Sequence, residues 1–236
     1  MTKNELIFTV FEKLQIQSDD TDISSELVSS LLDSKRGMLL KQQYSGKGWN
    51  IPREVKQEIC LSLKLVDTVS GYSCAGKILQ SHDSLPKTIK IKGKEGPLLV
   101  RKPDSTVISL NVVPVERIPY LFANKFTAML TYCAVDYDGK LVLISADNKL
   151  KFLESVKVTD VFERPDGAYD LSCLDGIKNQ DYLDLEYPME AGMADMAINM
   201  VVQELTRSLM LPSDEENDAT DDRQQVAQPR GRRRSY

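Results

Sequence analysis

Between Lys77 and Glu163 the hydrophobic period of the chain changes, and this change limits the available folds more than any other feature. Towards both ends of the chain, apart from an alternating stretch that begins at Ile59, apolar residues recur every three to four positions. Inside it they fall in short β-branched runs: "KILQS", "TIKIK", "LLVRK", "TVISLNVV", "TAMLTYCAV", "KLVLIS" and "SVKVTDVFE". Gly, Pro, Asp and Asn separate the runs, so each reads as a strand. Asp138-Gly139 lies between two of them and predicts a hairpin turn. Pro114 and Pro119 break "VVPVERIPYLF", which reads as a connector with one helical turn.

The flanks are helical. Thr2 and Glu5 have the spacing of a capping box, and Leu6, Val10 and Leu14 follow at four-residue steps, which predicts a helix over roughly residues 3–14. A second helix follows "SDDTD", where Asp20, Thr21 and Asp22 offer N-caps. Ile23, Leu27, Leu31 and Lys35 form one stripe of it, with Val28, Leu32, Leu39 and Leu40 beside them; Gly46 and Gly48 end it. Leu27, Leu31 and Leu32 are expected to be buried against the C-terminal helix or the neighbouring helices. Pro52 opens a further helical turn. Ile59, Leu61, Leu63 and Leu65 alternate as in a strand, while Val55, Ile59 and Leu63 also fit a helix, so a helix passing into an extended segment is expected. A last helix runs from Pro188 to Pro212 through Met189, Met193, Met196, Met200, Leu205 and Leu209.

The fold class is therefore α+β, with N- and C-terminal helices packed together and a β-rich, sheet or barrel-like insert. The regions are 1–76, helical; 77–165, β-rich; 166–211, a connector and the C-terminal helix; and 212–236, a polar arm.

Chemistry is sparse. A net charge of −5 argues against a generic DNA binder. No apolar run approaches the ~20 residues of a membrane span. Charges throughout "MTKNELIFTVFEKL" argue against a signal peptide or anchor, implying a protein of the cytoplasm or of something assembled there. Four cysteines without a CxxC pair and a single histidine do not make a metal site; the cysteines read as small buried hydrophobes. His82, beside Asp83 and Ser84, reads as a solvated loop residue, because triad members come from separate elements. "GKGWN" and "IKGKEGP" match no phosphate-binding fingerprint. Asp184, Glu186 and Glu190 read as a polar edge and a helix start. No catalytic residue, cofactor or metal ligand is expected.

Contact residues are the remaining candidates. Lys35 and Arg36, with Lys41, form either a solvated face or a contact with an acidic partner. Trp49 is either a subunit anchor or a local core cap. The methionine stripe is either core or an adaptable contact surface. From Ser213 onward there are too few apolar groups to offset chain entropy. That segment carries an acidic block and then Arg230, Arg232, Arg233, Arg234 and Tyr236, an arm for carboxylate partners or a solvated tail.

Five pieces in order carry a resemblance: "SDDTDISSELVSSLLDSKRGMLLKQQ", "IPREVKQEICLSLKLVD", "ILQSHDSLPKTIKI", "VFERPDG" and "LDLEYPMEAGMADMAINMVVQELTRSLMLPSDEENDATDD". Together, from about Asn4 to Asp222, they resemble virion structural proteins of crAss-like and related short-tailed phages, in the arrangement of a neck ring protein at the head-to-tail junction. The resemblance implies a non-enzymatic adaptor, assembled in the host cytoplasm, that forms a ring, typically a dodecamer. It implies contacts with the portal protein and with other neck ring or tail proteins, genomic DNA only as passing cargo, and no membrane. The alternative is a DNA-binding accessory virion protein that uses the arginine-rich tail.

Overall fold

The computed structural model describes residues 1–15, 23–45, 51–66, 77–91, 97–103, 109–145, 152–173 and 180–210. The two sequence periods become a helical layer and a barrel. Helix α1 (Lys3–Gln15) begins with the expected capping box, in both directions: the Glu5 amide donates to Thr2 Oγ1 at 3.2 Å, and the Thr2 amide to Glu5 Oε2 at 2.8 Å. Helix α2 (Ser25–Tyr44) is capped by Ser24, whose side chain accepts from the Leu27 amide, so the cap falls after Asp20, Thr21 and Asp22, which lie outside the described residues, as do Gly46 and Gly48. Its buried stripe is Val28, Leu32, Arg36, Leu39, Leu40 and Tyr44. Leu27, expected inside, is 46% exposed, and Leu31 is only partly buried. Arg36 lies in the true core stripe, where a charged side chain looks like surface.

Helix α5 (Ala191–Met210) packs against α1 and α2. The core between them holds Leu6, Val10, Val28, Leu32, Ala197 and Val201, all essentially without solvent contact. Of the methionine stripe, Met189 and Met193 are buried and Met196 faces outward.

After Pro52 only a 3-10 turn, Arg53–Val55, forms. Strand β1 (Gln57–Val66) follows, so the alternating reading of this segment prevails, within a span expected to be helical. The reason is non-local: Gln57–Ser62 pair with β7 (Ser155–Asp160) and Leu63–Val66 with β2 (Lys77–Ser84). The remaining strands are β3 (Leu99–Arg101), β4 (Ser109–Val112), β5 (Tyr132–Val135) and β6 (Lys140–Ser145). They close into a barrel in the order β1-β2-β6-β5-β4-β3-β7. The β5–β6 hairpin turns at Gly139, whose φ of 75° suits the glycine predicted there. "TIKIK" is not a strand: Thr88 makes one bridge to Phe162, and Ile89 and Ile91 enter the helical core. In "TAMLTYCAV" only the second half is a strand.

Among these pairs only β4–β5 is parallel. A parallel pair needs a crossover connection. Residues 113–131 supply it, through a 3-10 turn and helix α3 (Ile118–Ala123). The crossover lies against the outside of the barrel, where Val115 and Ile118 pack on Ile78, Ala134, Val142 and Ile144. Leu79, Cys133, Leu141 and Leu143 face the barrel interior instead. Both faces of β6 are thus covered, which explains why the run "LVLIS" is buried throughout.

Cys60 and Cys173 form a disulfide, and Cys133 is a buried thiol, while Cys74 lies outside the described residues. The first pair corrects the expectation of isolated cysteines. The Cys60 amide donates to the Leu171 carbonyl at 2.8 Å, which brings the segment after helix α4 (Asp166–Tyr169) alongside β1. A separation of 113 residues hides this pairing from sequence reading.

Candidate functional site

The side chains best supplied with charge meet where the helices join the barrel. Arg36, expected at a partner surface, is 0% exposed. Its Nε donates to the Pro188 carbonyl at 2.9 Å and its Nη1 to the Phe162 carbonyl at 2.7 Å. The guanidinium lies 5.7 Å from the Tyr187 ring centroid. This is a correction: Arg36 is consumed inside the protomer, where it ties α2 to the ends of β7 and the segment before α5. Lys3 is equally hidden, with Nζ 2.9 Å from Asp33 Oδ2 and 3.4 Å from Asp166 Oδ1. The Tyr187 hydroxyl donates to Asp33 Oδ1 at 2.7 Å, and Lys3 lies 5.8 Å from the same ring. Burial lowers the pKa of Arg36, opposed by Tyr187 and Asp33, and burial followed by Asp33 raises that of Tyr187 well above its usual value. Held through Nε and Nη1, the buried guanidinium fixes geometry, while its Nη2 is a buried donor without a partner. Lys3 was missed in the sequence because a lysine at a helix start looks solvated.

Lys35 pairs with Glu204 on α5, again within the protomer. Trp49, Arg230, Arg232, Arg233, Arg234 and Tyr236 lie outside the described residues. His82 belongs to strand β2 and is exposed, so the loop assignment is corrected while its solvation stands. Asp184 accepts from Asn4 at 2.6 Å, and Glu190 accepts from the Tyr44 hydroxyl at 2.6 Å. Burial and that carboxylate push the Tyr44 pKa up. Among the described residues no group of three or more His, Cys, Asp or Glu side chains could hold a metal ion, and no helix is long and apolar enough to cross a membrane.

Among the described residues several large apolar side chains are exposed, Phe8, Tyr137 and Phe152 among them, and two further surface features concern the crossover and α2. The crossover exposes Tyr120 (79%), Phe126 (87%) and Met129 (78%). A groove of 1270 Å3 runs along the outer face of α2, bounded by Pro86, Glu163 and Leu183. Its floor on α2 includes Ser29, Ser30, Ser34, Gly37 and Met38. Exposure of large side chains depends on tertiary placement, which short apolar runs do not reveal.

A family model described as phage tail ring protein 2 matches residues 5–223. The chain is also 34% identical over 224 residues to "Ring protein 2" of Bacteroides phage crAss001, covering 94% of this chain and 98% of that protein.

Proposed function

The chain belongs to the phage tail ring protein 2 family, and from this we propose that it is a non-enzymatic subunit of a homo-oligomeric ring in the neck of the virion, at the head-to-tail junction. The match carries the reading because it spans both the helical layer and the barrel, from residue 5 to 223. The internal pairing of Arg36, Lys3, Asp33 and Glu190 supports it: the polar groups that could do chemistry hold the protomer together instead. A ring that continues the DNA channel under the portal, with twelve copies, is the arrangement proposed. A net charge of −5 suits such a channel, since strong phosphate neutralisation would hold the duplex back.

Trp49 and the arm residues Arg230, Arg232, Arg233, Arg234 and Tyr236 are proposed as contacts to the portal or a neighbouring ring. Forked arginine–carboxylate pairs suit an arm that orders on docking. Reconstruction of an intact particle tests the location: density for this fold beneath the portal is expected, and density elsewhere in the tail would overturn the junction assignment. A mobility-shift titration with duplex DNA should show no strong binding at physiological salt; salt-dependent binding by the isolated protein would favour a DNA-binding accessory role.

A further inference from the structure

We propose that the β4–β5 crossover of one copy seats in the α2 groove of the next copy, making this the head-to-tail contact of the ring. The proposal rests on the ring reading and specifies its interface.

The crossover is built as a rigid projection. Val115 and Ile118 pin its inner side to the barrel wall. Part of its backbone is held by local hydrogen bonds. The Ala128 amide donates to the Asn124 carbonyl, the Phe126 amide to the Asn124 side chain, and the Thr127 hydroxyl to the Leu121 carbonyl. The Tyr132 hydroxyl donates to the Thr127 carbonyl at 2.9 Å, and Phe122 packs edge-on against the Tyr132 ring. Three large apolar side chains point outward, Tyr120, Phe126 and Met129, among the exposed polar residues Glu116, Arg117, Asn124 and Lys125. Ordering these side chains in advance reduces the cost of binding, and aromatic anchors of this type dominate interface energetics. A lone solvated loop has no reason to present two rings and a thioether to water.

The groove fits a protein occupant. At 1270 Å3 it exceeds the roughly 300–1,000 Å3 of small-molecule sites. Met38, Ile7 and Leu183 give it apolar surface, and the small side chains of α2 leave room for bulky ones. Charge adds a bias. The crossover, residues 113–131, carries Arg117 and Lys125 against a single carboxylate, Glu116. The groove lining carries Glu26, Asp33, Glu163 and Asp166 against Lys41, Lys87 and Arg164. Lys41 and Lys87 moderate the groove's own field, so charge orients the contact and apolar burial holds it.

Placement favours a second copy as the occupant. The crossover packs on Ile78, near the start of β2, and on Ile144, with Val66 at the end of β1 beside it. The groove is bounded by Pro86, just past the end of β2, and by Glu163 and Asp166, which follow β7. Projection and groove are therefore different surfaces, towards opposite ends of β2, as a closed heterologous ring requires.

The test uses the full chain. Phe126→p-benzoylphenylalanine is irradiated after assembly and the adducts are mapped by mass spectrometry. Copy-to-copy adducts at Met38, Pro86 or Arg164 are expected. In parallel, F126D/M129D should lower self-association at least tenfold by mass photometry while its melting temperature stays near wild type, because both side chains are exposed. Met38→Arg in the groove should have the same effect. Rings that form equally well with F126D/M129D, or adducts confined to other surfaces, overturn this interface and leave the ring reading standing. A wild-type chain that forms no ring under any assembly condition overturns the ring reading and the interface with it.

Discussion

The guanidinium of Arg36 donates to carbonyls at Phe162 and Pro188, from opposite ends of the connector between barrel and last helix. Removing it leaves two buried acceptors unpaired and opens a cavity. Arg36→Ala should cost about 3–5 kcal/mol, read as a lower denaturant midpoint. Arg36→Lys should recover little of that, because a point charge on a narrow stem cannot serve both carbonyls. A wild-type midpoint for Arg36→Ala would show that this residue does not join the two parts. Asp160 poses the opposite problem. Its Oδ1 accepts from the Val161 amide at 2.6 Å, its other oxygen has no partner, and burial raises its pKa to about 7. An unfolded aspartate titrates near 3.9. Between about pH 4 and 7 the folded chain therefore holds a proton that the unfolded chain has released, and stability falls as pH rises through that window. Three pH units correspond to about 4 kcal/mol. Asp160→Asn should flatten the profile, melting above wild type at pH 8 and close to it at pH 4. Parallel melting profiles for the two proteins would rule this out.

Among the elements, those specified by local chemistry could be read from sequence. Thr2 and Glu5 fix the start of α1 within three residues of chain, and Asp138-Gly139 fixes the β5–β6 turn. Elements whose identity depends on distant partners could not. The alternation in β1 matched a strand, yet only pairing with β7, about a hundred residues later, excludes the helix. The inward face of α2 was displaced by one stripe because Arg36 looked like surface, although its charge is spent on carbonyls from other elements. The candidate site was less legible still. Lys35 is paired within the protomer, Arg36 is internal, the exposed Met129 sat inside a run read as strand, and Phe126 fell just before it. At this scale the two leucines separate the alternatives. Leu32→Asp places an unpaired charge in a fully buried position and should cost several kcal/mol. Leu27→Asp should change stability by less than about 1 kcal/mol, as surface substitutions do. Equal losses in thermal melts of the two variants would contradict the assigned face of α2.

For the whole molecule, the arm and the body separate cleanly in their expected effects. Deleting Pro229 to Tyr236 should leave the melting temperature unchanged and weaken attachment to a partner ring, with the intact protein losing affinity as salt rises. Undiminished attachment by the truncated chain at every ionic strength would remove the arm from the interface. The N-terminal stitch has a consequence for biosynthesis. Thr2 bridges Glu186 and the Tyr187 amide donates to the Met1 carbonyl, while the apolar face of α1 rests on α5. The first helices leave the ribosome with nothing to cover them, and the strands that close the barrel, 57 to 160, emerge before α5 does. The barrel is then the first cooperative unit available, and the oldest part of the nascent chain waits for one of the youngest. Nascent chains carrying residues 1–165 followed by an unstructured linker long enough to clear the exit tunnel should protect β1 to β7 from protease and leave α1 and α2 open to cleavage, and release of the full chain should close them.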